Sequence, residues 1–156
     1  MQLLRSLDIL DSAAEEAFDH ITDWGRTFFA APICIITLVD SDRQWFKACY
    51  GLVQGSETGR DAAFCSHAIM PSAPEVFEVC DATLDDRFKA SPLVTGAPFV
   101  RYYAGAPLLL DGRRTNMGVG LATRRACSVA GRAAVFGPAP LYSESTQFHA
   151  KPTPAK

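Results

Sequence analysis

Cys65 and His67 stand two residues apart in the stretch Phe64-Cys65-Ser66-His67-Ala68-Ile69. A thiol beside an imidazole can make a nucleophile, because the imidazole takes the thiol proton and leaves a thiolate. The spacing works against that chemistry here. On a helix, residues two apart point to different sides, and no third group is identifiable to orient the imidazole. The plainer reading has Cys65 packed in the interior and His67 capping or bonding a backbone carbonyl. Cys65, His67, Cys80 and Asp81 are zinc-type ligands, but their spacing fits no standard zinc site. Packing accounts better for these residues.

A second group is Asp81, Asp85, Asp86, Arg87 and Phe88, in an irregular stretch. Loops carry function, yet an ion pair of Arg87 or Arg101 with one of these acids is the simpler role. Tyr102 and Tyr103 are adjacent on an expected strand and so face opposite sides. One joins the core, and the other can line a pocket with its hydroxyl as a polar handle. Asp42 and Arg43 read as turn residues. The sequence holds no Gly-rich phosphate loop, no metalloprotease motif and no nucleophile-elbow serine.

The elements that position these residues follow from patterning. Ser12 and Glu15 have capping-box spacing, and Phe18, Ile21 and Phe28 recur at helical intervals, flanked by Ala17 and Trp24. This predicts a helix from about Ala13 to Phe29, stopped by Pro32. Ile33 to Val39 is a β-branched run, and Gln44 to Tyr50 alternates, with Trp45, Lys47 and Cys49 facing one way. The residues between them make a hairpin turn. Gly51 to Gly59 reads as a loop, Ala62 to Met70 as a short helix, and Val76 to Cys80 as a strand. Thr83 to Pro98 is irregular. Phe99 to Leu110 is a strand ending at the turn pair Asp111-Gly112, with Met117 to Ala122 returning.

Composition sets the bounds. A chain of 156 residues with 48% hydrophobic content is one domain with one core. The five cysteines include no CxxC pair, which argues for reduced thiols in a cytoplasmic protein. No apolar run approaches the ~20 residues of a membrane span, and the N-terminus lacks a secretory pattern. The net charge of −2 is uneven: acids outnumber bases 16 to 8 up to Gly112, whereas seven bases meet one acid, Glu144, from Arg113 onward. The basic tail has few aromatics and no nucleic-acid motif, which weighs against nucleic acid as a partner.

Four ordered segments carry a family resemblance: Asp42-Arg43-Gln44-Trp45-Phe46, Phe64 to Ile69, Asp85-Asp86-Arg87-Phe88, and Arg101 to Leu108. With the lead-in Leu7-Asp8-Ile9-Leu10-Asp11, the chain from about Leu4 to Gly120 resembles the GAF domains that open bacterial sensor histidine kinases and diguanylate cyclases. The resemblance implies an α+β fold, a mostly antiparallel sheet with an N-terminal helix on one face. On the other, short helices and loops enclose a pocket. It implies a non-catalytic regulatory module for small-molecule sensing or protein interaction. The pocket candidates are Phe64, Cys65, His67, Asp81, Asp86, Arg87, Phe88, Tyr102 and Tyr103. Partners would be a small-molecule ligand and either a signalling output protein or a second copy of the chain. Bilin-binding relatives carry His directly after the Cys, where this chain has Ser66. The relatives that reduce free methionine sulfoxide show a cysteine pattern absent here. Neither bilin, haem nor metal is expected.

The C-terminus departs from the family. Arg113 to Gly120 follows the pattern only in part, and the expected exit helix is missing. Residues 1–123 are therefore read as the GAF-like domain and 124–156 as a basic Ala/Gly/Pro-rich tail, disordered from about Gly137. A truncated, spliced or frame-shifted product would explain the switch (hypothesis), and an uninterrupted gene with homologous tails in relatives would refute it. Loss of the exit helix would expose Phe18, Ile21, Trp24 and Phe28 as an apolar patch. Alternatives are a thiol-dependent redox enzyme using Cys65 and His67, and a scaffold or dimerisation domain that binds no ligand.

Overall fold

The computed structural model describes residues 9–53 and 56–127. The apolar run Ile33–Val39 forms β1, buried along its whole length, because it lies at the centre of a six-stranded antiparallel sheet covered on both faces. The other strands are β2 (Arg43–Tyr50), β3 (Glu57–Gly59), β4 (Phe77–Val79), β5 (Tyr102–Leu110) and β6 (Arg113–Thr123). Their spatial order is β3-β2-β1-β6-β5-β4. Among the described residues three α-helices accompany them, α1 (Glu16–Phe28), α2 (Phe64–Ala68) and α3 (Pro92–Thr95), with a 3-10 turn at Arg60–Ala62. This is the α+β arrangement expected, with α1 packed on β1 and β2.

The hairpin joining β1 and β2 contains a bulge. Ile36 pairs with Ala48 and Thr37 with Phe46, which leaves Lys47 as the extra residue. Simple alternation places Cys49 on the side of Trp45 and Lys47. The bulge shifts the pleat by one step, so Cys49 packs on the opposite face, against the cluster of Ile33, Ile35 and Phe46. Trp45 stays on the α1 face with Leu38 and Phe18.

Lys47 also explains why the expected capping box does not form. Its side chain is fully buried under the start of α1, and its Nζ donates to Ser12 Oγ at 2.6 Å, Ala13 O at 2.8 Å and Glu15 Oε1 at 2.5 Å. Ser12 and Glu15 thus serve a buried ammonium rather than the helix N–H groups. The helix begins at Glu16, with no side-chain cap. A buried charge needs such full pairing to be tolerated.

The face α1 turns to the sheet also differs from its apolar stripe. Thr22 and Gly25 are the buried positions, while Trp24 and Phe28 are 60% and 64% exposed and stack on each other at 4.9 Å. Gly25 allows this close approach: a Cβ there would lie 2.9 Å from Cys34 Sγ. Seating the helix on its smallest residue turns the large rings outward.

Two segments read as loop or irregular hold short elements. The end of the Gly51–Gly59 loop forms β3, paired with Arg43, Gln44 and Trp45 of β2. Within Thr83–Pro98, Ser91 Oγ accepts from Leu93 N–H and Pro92 occupies the first turn of α3. The tail beyond residue 127, with its expected disorder and missing helix, lies outside the described residues.

Candidate functional site

The face of the sheet opposite α1 carries a half-open cavity of about 270 Å³. Its floor is the inward row of the central strands: Ile33 and Ile35 of β1, Gln44 and Phe46 of β2, Tyr103 of β5 and Ala122 of β6. Sheet register brings them together, since Ile33 sits opposite Ala122 and Tyr103 opposite Ala122 on the far side. The roof comes from α2 through Phe64 and Cys65, from α3 through Leu93, and from the loops at Leu52, Val53, Pro98 and Val100. Among the described residues, none that is charged lines the cavity.

At one end Tyr103 Oη donates a hydrogen bond to Cys65 Sγ at 3.1 Å, and both residues are buried. Burial pushes the Cys65 thiol above its ordinary value, against the opposing pull of Tyr103, Thr37 and Gln44. The Tyr103 hydroxyl is likewise held well above its usual range, by burial first and by Cys65 second. A thiol kept neutral is a poor nucleophile. The ring of Tyr103 fits because Gly105 and Gly120, paired across β5 and β6, leave a slot. A Cβ at Gly105 would stand 2.1 Å from Tyr103 Oη. Phe64 stacks between Tyr103 at 5.0 Å and Phe88 at 4.1 Å. Such ring pairs contribute about 0.5–1.5 kcal/mol each beyond area burial.

Gln44 and Thr58 complete the lining. Among the described residues, Gln44 Oε1 and Thr58 Oγ1 are buried without a hydrogen-bond partner. An unmade bond at a buried polar atom costs about 1–3 kcal/mol, so these atoms are the groups a bound molecule would satisfy.

Of the residues singled out from sequence, Phe64, Cys65 and Tyr103 line the cavity, and Phe88 backs the ring stack. His67 turns away. Its ring packs on Phe88 at 4.8 Å and Phe77 at 6.0 Å, beside a shallow depression formed with Arg60, Asp61, Ser66 and Met70. The remaining four hold local structure. Arg87 forms a two-pronged bond with Asp85, at 2.9 and 2.5 Å, while lying over the rings of Phe77 and Phe88. That guanidinium holds the Asp85 carboxyl below its ordinary value. Asp86 bonds Lys89 at 2.6 Å, and Asp81 accepts from Thr83 N–H and Oγ1. Tyr102, on the α1 side of the sheet, donates to Glu78 at 3.1 Å. Sequence reasoning missed Gln44, Thr58 and the glycine slot. A signal existed for Gln44, which shares the strand period of Phe46 yet is polar.

An antiparallel sheet with α1 behind it, and a cavity roofed by short helices and loops in front, defines the class of α+β domain. The chain belongs to the GAF domain family, whose family model matches residues 13–148. Over 102 residues, 65% of this chain, it is 45% identical to a cyclic di-GMP phosphodiesterase of Pseudomonas aeruginosa, of whose length it spans 17%. Among solved structures it is similar to the GAF domain of an Acinetobacter phosphoenolpyruvate-protein phosphotransferase. The TM-score is 0.57 at 14% identity, over 83% of this chain and 79% of that one. It is also similar to a type II free methionine-R-sulfoxide reductase of Thermoplasma acidophilum. Here the TM-score is 0.57 at 11% identity, over 76% and 82% of the two chains. These last two likenesses are of fold. Among the described residues no helix is long and apolar enough to cross a membrane.

Proposed function

We propose that the chain is a regulatory sensor module whose cavity takes a small, uncharged, mostly apolar molecule carrying one or two hydrogen-bonding groups. The observation behind this reading is the combination of an apolar wall without charge and the unpartnered atoms Gln44 Oε1 and Thr58 Oγ1. The volume lies just below the ~300–1,000 Å³ of most ligand sites. Occupancy acts by favouring one conformation over another. The Pseudomonas relative supports an output in cyclic di-GMP signalling, in the same polypeptide or through a partner. The cyclic dinucleotide itself is a poor match for the cavity, because no cation among the described residues lines it to meet its phosphates. Self-association is assigned to the exposed rings of Trp24 and Phe28. Against a thiol enzyme stand the burial of Cys65, its bond to Tyr103 and the outward turn of His67.

Thermal unfolding with a panel of uncharged metabolites and with cyclic di-GMP tests this. A neutral ligand at 100 times its dissociation constant adds about 2.7 kcal/mol. Gln44→Leu is expected to abolish that shift while leaving the unliganded protein as stable or more so. A shift produced by cyclic di-GMP, or by no compound at all, would sink the assignment.

A further inference from the structure

Away from the cavity, Cys80 and Cys127 meet at the edge of the sheet. Cys80 directly follows β4 and is exposed; Cys127 lies beyond β6 and is half-buried. The backbone N–H of Cys127 donates to the carbonyl oxygen of Cys80 at 2.9 Å. That backbone hydrogen bond holds the two residues side by side, the proximity that a disulfide, with α-carbons ~4.4–6.8 Å apart, requires. The two side chains also share a neighbour. The Tyr102 hydroxyl, which bonds Glu78, is held well above its ordinary value by burial, then by Glu78, and then by Cys127 and Cys80. The other three cysteines are placed differently: Cys34 and Cys65 are buried, and Cys49 bonds the Leu52 carbonyl on the cavity side.

We propose that Cys80 and Cys127 are a reversible redox pair, oxidised by a hydroperoxide to an intramolecular disulfide that pins the chain leaving β6 to the end of β4. The exposed Cys80 thiolate attacks the distal peroxide oxygen. The O–O bond breaks, the alkoxide or hydroxide takes up a proton, and Cys80 becomes a sulfenic acid. The Cys127 thiolate then attacks the Cys80 sulfur, and hydroxide departs to become water. Two thiols have given up two electrons and two protons; the hydroperoxide has become an alcohol, or water, plus water. A cellular dithiol reverses the step by exchange. A disulfide in this place fixes the path of the chain after β6 and so reports peroxide independently of anything in the cavity.

The test treats the full-length protein with stoichiometric hydrogen peroxide, blocks remaining thiols and maps the peptides by mass spectrometry. The expected product is a Cys80–Cys127 crosslink, lost on reduction, with Cys34 and Cys65 still alkylatable after unfolding. Cys127→Ser should leave a Cys80 sulfenate that a dimedone probe captures, and Cys80→Ser should abolish both species. Sulfinic acid at Cys80 in the wild-type protein, or a Cys80–Cys80 link between two chains, would overturn the pairing. Because the wild-type map alone distinguishes these products, the test survives a variant that fails to fold.

Discussion

At the scale of single residues, two polar contacts inside the protein set distinct energies. Tyr103→Phe removes the hydroxyl that bonds Cys65 Sγ at 3.1 Å and keeps the ring. A buried neutral hydrogen bond contributes about 1 kcal/mol net, so urea unfolding should show a loss near that value; no change would mean the contact is only proximity. Lys47 obeys a different logic. Its side chain is fully buried while that of Glu15 is 55% exposed. Lys47→Met removes the buried charge and leaves groups that water can reach. The double variant Ser12→Ala, Glu15→Gln keeps the charge, removes the hydroxyl and the carboxylate charge, and leaves the Ala13 carbonyl. A fully buried charge left unpaired costs about 3–5 kcal/mol, and the exposure of Glu15 brings the expectation down to about 2–3 kcal/mol. Lys47→Met should therefore be the milder change. Equal losses in denaturant titrations would contradict this account.

Between elements, two glycines set how closely the pieces approach. Gly105→Ala puts a methyl group 2.1 Å from Tyr103 Oη in place of open space. The ring must leave its slot, at an overpacking cost of about 1–3 kcal/mol. The Cys65 contact and the shape of the cavity should go with it. Tyrosine fluorescence and loss of the ligand-induced thermal shift would report the movement. Gly25→Ala sets helix propensity, worth about 1 kcal/mol in its favour, against a contact of 2.9 Å with Cys34 Sγ. Destabilisation is expected for the single variant and recovery when Cys34→Ala is added. Strict additivity in that double-mutant cycle would disprove the contact.

For the molecule as a whole, the buried thiols make stability depend on alkaline pH. Burial pushes Cys34 from 9.0 up to about 11, and Cys65 moves in the same direction. Above pH 9 the unfolded chain loses these thiol protons while the folded chain keeps them. The unfolded state then binds fewer protons, and stability falls as pH rises. For Cys34 the loss runs from pH 9 to about 11, with a slope approaching 1.4 kcal/mol per pH unit. Unfolding free energies over that range should decline less steeply in Cys34→Ala than in the wild type. Parallel curves would show that Cys34 is not the source.

What the sequence determined by itself was local and periodic. The run Ile33–Val39 reads as a buried strand because β-branched residues bounded by turn residues fit little else, and β1 has those limits. Asp111-Gly112 reads as a tight turn and joins β5 to β6, both residues having positive φ. Ordered motifs that serve no periodic core name the family. The tertiary structure decided which neighbours those elements find. Lys47 becomes a bulge only in register with β1, and that bulge carries Cys49 to the other face. Ser12 and Glu15 leave their helix because a buried ammonium from β2 attracts them more strongly than backbone N–H groups. Cys65 and His67 diverge because one side chain enters the core and the other packs on Phe77 and Phe88. Gln44 and Thr58 meet only through the pairing of β2 with β3, and Cys80 and Cys127 only because β5 holds β4 and β6 on its two sides. Periodicity encodes which face a residue prefers. Only packing determines what it meets there.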